Sequence, residues 1–368
     1  MLILQIVKQK KSGFEQNQIK SRIIAPFQDW MTIYSASTPS ILIYIGWQRR
    51  GGILMNTFTQ AGDLAAIPKA RVKRINRQRR KETWAGFLFI MPMVLGYVIF
   101  LLGPMVAALI MSFTDWALLK QPSLIGLDNY KHALLDDPVF TKTALNSFIF
   151  MVSYVPANIV ITLALALLLK NKIFGIGFFR TAIFTPVVTS VVAWSIVWKY
   201  IFQTDNGLIN VLLKYVGITG PAWLYSTEWA MVVVIVVTLL KGLGINMVIF
   251  LAALNDVPPM YYEAARIDGA SGLRAFTNVT LPLISPAIFM VLIITMIGSL
   301  KVFGQIYVLT GGGPAESTYV FVYYIYEQAF KLYEFGYASA IAFILFTLIL
   351  LLTIAQWSIR KRWIHHEE

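Results

Sequence analysis

The chain holds 368 residues, of which 57% are hydrophobic and 13% charged, about half the charged share of a soluble domain. A soluble globule is excluded, and the formal charge of +13 has to lie between apolar runs. With no cysteine and only three histidines, His132, His365 and His366, all outside the apolar runs, disulfides, thiolate metal sites, iron–sulfur clusters and a cysteine nucleophile are excluded too.

Residues 1–54 fit no simple plan. The stretch from Trp30 to Trp47 is uncharged, but Ser35, Ser37, Thr38, Pro39 and Ser40 interrupt it, so it is not read as a span. Just before Met55 the chain reads Arg49-Arg50-Gly51-Gly52-Ile53-Leu54, and two glycine codons together can spell the core of a ribosome-binding site. Two readings stay open for 1–54: a translated leader with Met55 as the true start, or a flexible cytoplasmic extension. Residues 55–82 form a basic cytoplasmic segment in which Lys69, Arg71, Lys73, Arg74, Arg77, Arg79, Arg80 and Lys81 crowd the entrance to the first span. Such a cluster is a topogenic flank that also suits anionic lipid head groups, and nucleic acid is not expected as its partner.

A helix crossing a bilayer needs about 20 mostly apolar residues. Uncharged stretches at 83–114, 143–169, 181–198, 283–300 and 335–359 meet that need, and 229–254 meets it with one charge, Lys241. Hydrocarbon leaves no partner for free backbone groups, so these runs are expected to be helices despite the Val and Ile content of 231–237. Pro92, Pro104, Pro156 and Pro186 are then expected to kink their helices without ending them. Lys170, Lys172 and Arg180 fill the second connection without an acid, and Arg360, Lys361 and Arg362 follow the last span. Asp115, Asp128, Asp136 and Asp137 outnumber Lys120, Lys131 and Lys142 in the first connection, and acids match or outnumber bases in the third and fifth. The positive-inside rule places both termini in the cytoplasm. The expected fold is an all-α membrane protein of six transmembrane helices over 83–360, with a cytoplasmic tail at 361–368.

None of the six spans contains Asp or Glu, whereas proton- and sodium-coupled carriers place carboxylates or broken polar helices at the midplane. A membrane enzyme would need a nucleophile–base pair or a metal cluster at depth, and neither is present in the sequence pattern. The run Gly311-Gly312-Gly313-Pro314 continues as Ala315-Glu316, without the Lys-Ser/Thr that a phosphate loop requires. The power source is therefore expected on another chain.

The fourth connection reads Pro258-Pro259-Met260-Tyr261-Tyr262-Glu263-Ala264-Ala265-Arg266-Ile267-Asp268-Gly269-Ala270 and runs on through Phe276 to Leu281-Pro282 and Pro286. Pro259 suits a first helical turn, the alanines let another protein approach closely, and Gly269 can turn a helix back on itself. Two short helices at the cytoplasmic membrane surface are expected. In these residues the chain resembles the membrane subunits of binding-protein-dependent ABC importers. Their hallmark, Glu-Ala-Ala-x-x-x-Gly followed by Leu-Pro, is filled by Glu263, Ala264, Ala265, Gly269, Leu281 and Pro282. Asp268, Ala270 and Phe276 match the version found in carbohydrate importers. Ser112-Phe113-Thr114-Asp115-Trp116, Gly126-Leu127-Asp128-Asn129-Tyr130 and Leu309-Thr310-Gly311-Gly312-Gly313-Pro314 are similar to the family's outer-face landmarks. The short ending Ile364-His365-His366-Glu367-Glu368 resembles the first membrane subunit of the maltose or glycerol-phosphate type.

The resemblance implies a second related permease, an ABC ATPase dimer that carries ATP and Mg, an extracytoplasmic solute-binding protein, and no cofactor, catalytic residue or metal on this chain. It implies that Glu263 faces a basic group of the ATPase, that Gly269 lets the two short helices fold together, and that Arg266 and Asp268 flank the contact. A sugar or polyol pathway would be lined by polar and aromatic residues of the later spans. The candidates are Trp194 and Trp198 on the third, Lys241 and Asn246 on the fourth, and Thr295, Ser299 and the span-end Lys301 on the fifth. Trp194, Trp198 and Asn246 are read as packing or helix–helix contacts ahead of pathway residues, and Lys241 needs water, a partner or a snorkelling path. Two other functions stay open. A secondary transporter would keep working without ATP and fail without a proton gradient, and an assembly or sensory protein would copurify with neither binding protein nor ATPase.

Overall fold

The computed structural model describes residues 47–50, 53–56, 69–170 and 174–363, with side chains over 83–170 and 174–360. Most of the 1–54 extension, Lys172 and the end of the 361–368 tail lie outside the described residues. Two units are distinguished, Met1–Phe89 and Ile90–Glu368. In the first, β1 (Trp47–Arg50) pairs antiparallel with β2 (Ile53–Asn56), so that Gln48 faces Met55. This hairpin falls on the doubtful start region and departs from the all-α expectation.

The basic flank is helical. Helix α1 (Lys69–Tyr97) runs through Pro92 into a π-helical turn at Val98–Leu102 and then α2 (Gly103–Met111). The Gly103 N–H bonds five residues back to Val98 O, a widening that accommodates Pro104, which has no N–H of its own. Within the second unit follow the short α3 (Asp128–Lys131) and then α4 (Pro138–Lys170), which continues through Pro156.

The third span differs from expectation. Helix α5 (Ile176–Val188) ends two residues after Pro186, and α6 (Val191–Ile201) leaves at 107°. Proline withholds an N–H and crowds the preceding turn, and the backbone at Thr189 and Ser190 is extended. The helix thus ends just past Pro186, where a kink without a break was expected. After α7 (Leu208–Tyr215), helix α8 (Ala230–Asp256) crosses as one piece. The fourth connection holds α9 (Pro259–Ile267), α10 (Gly272–Ala275), a π-helical turn at Phe276–Thr280 and α11 (Leu281–Leu283). Helix α12 (Ser285–Leu300) departs from that stretch at 68°. Short α13 (Gly304–Leu309) and α14 (Phe321–Phe330) precede α15 (Phe335–Trp363). Among the described residues the count is thus four unbroken spanning helices, or six spans when each bent pair is taken as one.

Helix α8 is the central post. It packs along α4 and against α5 and α12, and Phe150, Val233, Val234, Val237 and Ile306 form the fully buried core at its N-terminal half. Phe250, Leu254, Ile284 and Val291 do the same at its C-terminal half. At the start of α4, Asp137 joins three elements. Its carboxylate accepts from Val139 N (2.8 Å) and Phe140 N (3.1 Å) at the start of α4, from Tyr324 Oη (2.6 Å) on α14 and from Tyr337 Oη (2.5 Å) on α15. Burial alone would raise this carboxyl, but the hydrogen bonds outweigh it and hold Asp137 below the usual carboxylate range.

The glycine run at 311–313 has a steric origin. Gly311 and Gly312 have φ of +58° and +85°, and a β-carbon on Gly312 would stand 2.3 Å from the Tyr319 ring. Tyr323 Oη closes the turn by donating to Gly311 O at 2.6 Å. The glycines make room for tyrosines.

Candidate functional site

The fourth connection is built residue by residue from its prolines. Val257 and Pro258 are extended, at ψ 117° and 135°, as residues before a proline prefer, and Pro259 opens α9 where a missing N–H costs nothing. The far end of α9 is a Schellman turn: Ala270 N–H donates to Ala265 O (2.9 Å) and Gly269 N–H to Arg266 O (3.1 Å). This turn needs Gly269 at φ +70°, and a β-carbon there would meet nothing within 4 Å. Backbone conformation, not space, fixes the glycine. Ser271 then caps α10, its Oγ accepting from Arg274 N–H at 3.4 Å.

One face of α9 is pinned. Tyr262 packs into the buried cluster of Leu254, Val257 and Ile284, its hydroxyl lies 3.1 Å from Thr280 Oγ1, and Lys170 Nζ sits 4.8 Å over its ring. The Tyr262–Thr280 contact ties α9 to the turn that leads into α11, and Lys170 ties both to the end of α4. The opposite face, Met260, Glu263, Ala264 and Ile267, is exposed, with Ile267 at 86%. Glu263 has no hydrogen bond or ion pair among the described residues. Arg266 borders two open concavities of about 360 and 450 Å³, one reaching Ala270 and Phe276 and the other Glu263 and Asn255. Asp268 and Gly269 are exposed, while Ala265, Ala270, Leu281 and Pro282 are half-buried. Tyr262 and Lys170 escaped sequence reasoning. The one available signal was the pair of aromatic residues, Tyr261 and Tyr262, directly before Glu263.

The pathway candidates do not converge on one cavity. Trp194 Nε1 donates to Val237 O at 3.0 Å across the α6–α8 contact, and its ring lies 5.6 Å from that of Trp198. Asn246 Nδ2 donates to Asn158 Oδ1 (2.5 Å) and Thr295 Oγ1 (3.1 Å), joining α8, α4 and α12. Those three side chains are buried, and such bonds hold helices together where lipid offers no hydrophobic drive. Ser299 Oγ donates to Met296 O of its own helix at 2.7 Å. Lys241 Nζ donates to Pro186 O (2.8 Å) and Thr189 O (2.6 Å), so it closes the broken end of α5 and meets the negative pole of that helix. Lys301 caps α12 with its side chain exposed.

With this geometry in hand, comparison with known proteins gives a consistent answer. The family model for the binding-protein-dependent transport system inner membrane component matches residues 137–365. A probable ABC transporter permease protein, YesP of Bacillus subtilis, is 33% identical over 79% of this chain and 95% of its own length. The lactose transport system permease protein LacF of Rhizobium radiobacter is 36% identical over 74% of this chain and 92% of its own. In fold, one chain of a bacterial alginate ABC transporter matches at a TM-score of 0.69 and 23% identity, covering 77% of this chain and 96% of that one. The chain belongs to the family of binding-protein-dependent inner membrane components, the ABC transporter permeases, and resides in the inner membrane.

Proposed function

We propose that this permease forms, with a second related permease, the channel of an ATP-driven importer for a sugar or polyol that an extracytoplasmic binding protein delivers. The observation that carries the reading is α9, pinned to the spans on one face by Tyr262 and Lys170 and presenting unpaired Glu263 beside apolar Met260, Ala264 and Ile267 on the other. An unpaired charge amid exposed apolar side chains is a docking surface, and an ABC ATPase dimer on the cytoplasmic side is its partner. Sugar as cargo is supported by relatives named for lactose, starch degradation products, arabinooligosaccharides and multiple sugars.

The loop then works as a lever. Closure of the ATPases on ATP moves α9, the Tyr262–Thr280 contact carries α11 with it, and the 68° bend at Ile284 passes the movement to α12. Helix α8 is drawn along through Val257 and Pro258. Both termini lie on the ATPase side, and Trp194, Trp198, Lys241, Asn246, Thr295, Ser299 and Lys301 stand on or beside the elements that rearrange. ATP and Mg belong to the partner. The purified chain alone is therefore expected neither to bind nor to hydrolyse ATP, whereas the assembled complex hydrolyses it faster with loaded binding protein. Substantial hydrolysis by this polypeptide alone would refute the reading.

A further inference from the structure

Helix α7 (Leu208–Tyr215) is apolar on the side that the fold leaves uncovered. Ile209 packs against the core cluster of Phe202, Leu224 and Val233, and the next residue, Asn210, is buried. On the other face Leu208, Val211, Leu212 and Tyr215 recur at the helical spacing i, i+3, i+4 and i+7, and all four are exposed. That stripe carries no charge, and Lys214 stands at its rim. A Schellman turn ends the helix, with Ile218 N–H donating to Leu213 O (2.9 Å), Gly217 N–H donating to Lys214 O (3.0 Å) and Gly217 at φ +79°. Val216 and Ile218, exposed past the end of α7, extend the apolar surface. A helix facing water would carry polar side chains in these positions.

Hydrogen bonds and ring contacts fix the level at which α7 sits. Asn210 Nδ2 donates to Thr204 O (2.8 Å) and Pro221 O (3.2 Å), and its Oδ1 accepts from Trp223 Nε1 at 2.6 Å, so the loops on both sides are fastened to the helix. The Trp223 ring lies 5.7 Å from that of Phe202, just past α6, and 5.1 Å from that of Trp229, just before α8. Helix α7 is therefore held beside the end of α6 and the start of α8. Helix α8 has 27 residues, about 40 Å at 1.5 Å each, against a hydrocarbon core of about 30 Å. Its first turn thus stands in the interfacial layer, at the end of the span remote from α9. Tyr200, Tyr215, Tyr225 and Trp229 are exposed on these same segments, and such amphipathic rings collect where acyl chains meet head groups.

We propose that α7 is an interfacial anchor whose stripe of Leu208, Val211, Leu212 and Tyr215 is buried at the boundary of acyl chains and head groups, in the leaflet remote from α9. A protein partner would find almost nothing on this stripe to hydrogen-bond or pair with, whereas protein interfaces carry such contacts throughout. Lipid asks only for apolar side chains, and Lys214 at the rim is long enough to reach the head groups. The chain has no cysteine, so Leu208→Cys and Leu212→Cys each give one attachment point for a nitroxide, and Asp205→Cys, exposed just before the helix, serves as the reference. The complete transporter, its other subunits freed of cysteine, is reconstituted into vesicles of phosphatidylethanolamine and phosphatidylglycerol. Power saturation of the nitroxide signal then compares collisions with oxygen, which concentrates in lipid, and with a water-soluble nickel chelate. At both stripe positions the oxygen-to-nickel collision ratio is expected several-fold above that at Asp205→Cys. A ratio equal to the reference would put the stripe in water, and exclusion of both reagents would put it against the second permease or the binding protein. Either result would overturn the anchor.

Discussion

Gly269→Val is expected to abolish ATP-coupled uptake, while Gly269→Asn keeps most of it. The Schellman turn fixes φ at +70°, a region that costs a β-branched residue about 1–3 kcal/mol and that asparagine tolerates. Nothing lies within 4 Å of the site, so a failure of Val and a success of Asn can arise only from the backbone. The strained turn would release Ala270 from Ala265 and let α9 and α10 swing apart. Glu263→Lys acts on the same surface by charge. Reversing a paired charge at an interface costs about 2–5 kcal/mol, roughly 30-fold or more in ATPase affinity. Both variants are expected to insert normally, because neither residue touches a span. The check is membrane insertion, ATPase copurification and uptake measured on one preparation. Wild-type ATPase binding and uptake in Gly269→Val and Glu263→Lys would make this loop a solvated turn.

The second large effect concerns Lys241. Its ammonium satisfies two carbonyls, Pro186 O and Thr189 O, at a break inside the membrane. A buried acceptor left without a donor costs about 1–3 kcal/mol and a half-buried one less, and Lys241→Met leaves two half-buried ones. The variant is expected to accumulate poorly and to lose several degrees of thermal stability in detergent, with Lys241→Arg restoring much of both because it supplies donors of similar reach. A lysine that only lined the cargo route would behave otherwise, raising the half-maximal uptake concentration with assembly intact. Normal accumulation and melting of Lys241→Met would remove the helix-closing role.

The sequence foretold these two sites unequally. Gly269 and Glu263 were legible because the loop is local: prolines, alanines and a glycine at short spacing dictate a helix, a reversal and an accessible face. Lys241 was visible as an anomaly, but its partners lie more than fifty positions away on another helix. The same gap explains Pro186. In sequence it looks like Pro156, yet α4 runs straight through Pro156 whereas α5 ends just after Pro186. The difference lies in the tertiary neighbour, since Lys241 is at hand to take the carbonyls that the break releases. Asn246 shows the limit for polar residues in spans. Nothing in its flanking residues distinguishes a cargo contact from the buried junction with Asn158 and Thr295. Tyr262 was overlooked because its importance rests on Thr280 and Lys170, which reach it from separate elements.

The central claim is that α9 is the cytoplasmic face through which a separate ATPase drives this permease. The chain has no cysteine, so Ala264→Cys gives it a single thiol on the exposed face of α9, and Lys331→Cys places one instead just after α14, at the other end of the spans. In native membranes holding the whole transporter, a short thiol-to-amine cross-linker is expected to join Ala264→Cys to a protein identified by mass spectrometry as an ABC ATPase, with no such product from Lys331→Cys. Absence of the ATPase product from Ala264→Cys, or an equal yield of it from Lys331→Cys, would contradict the account.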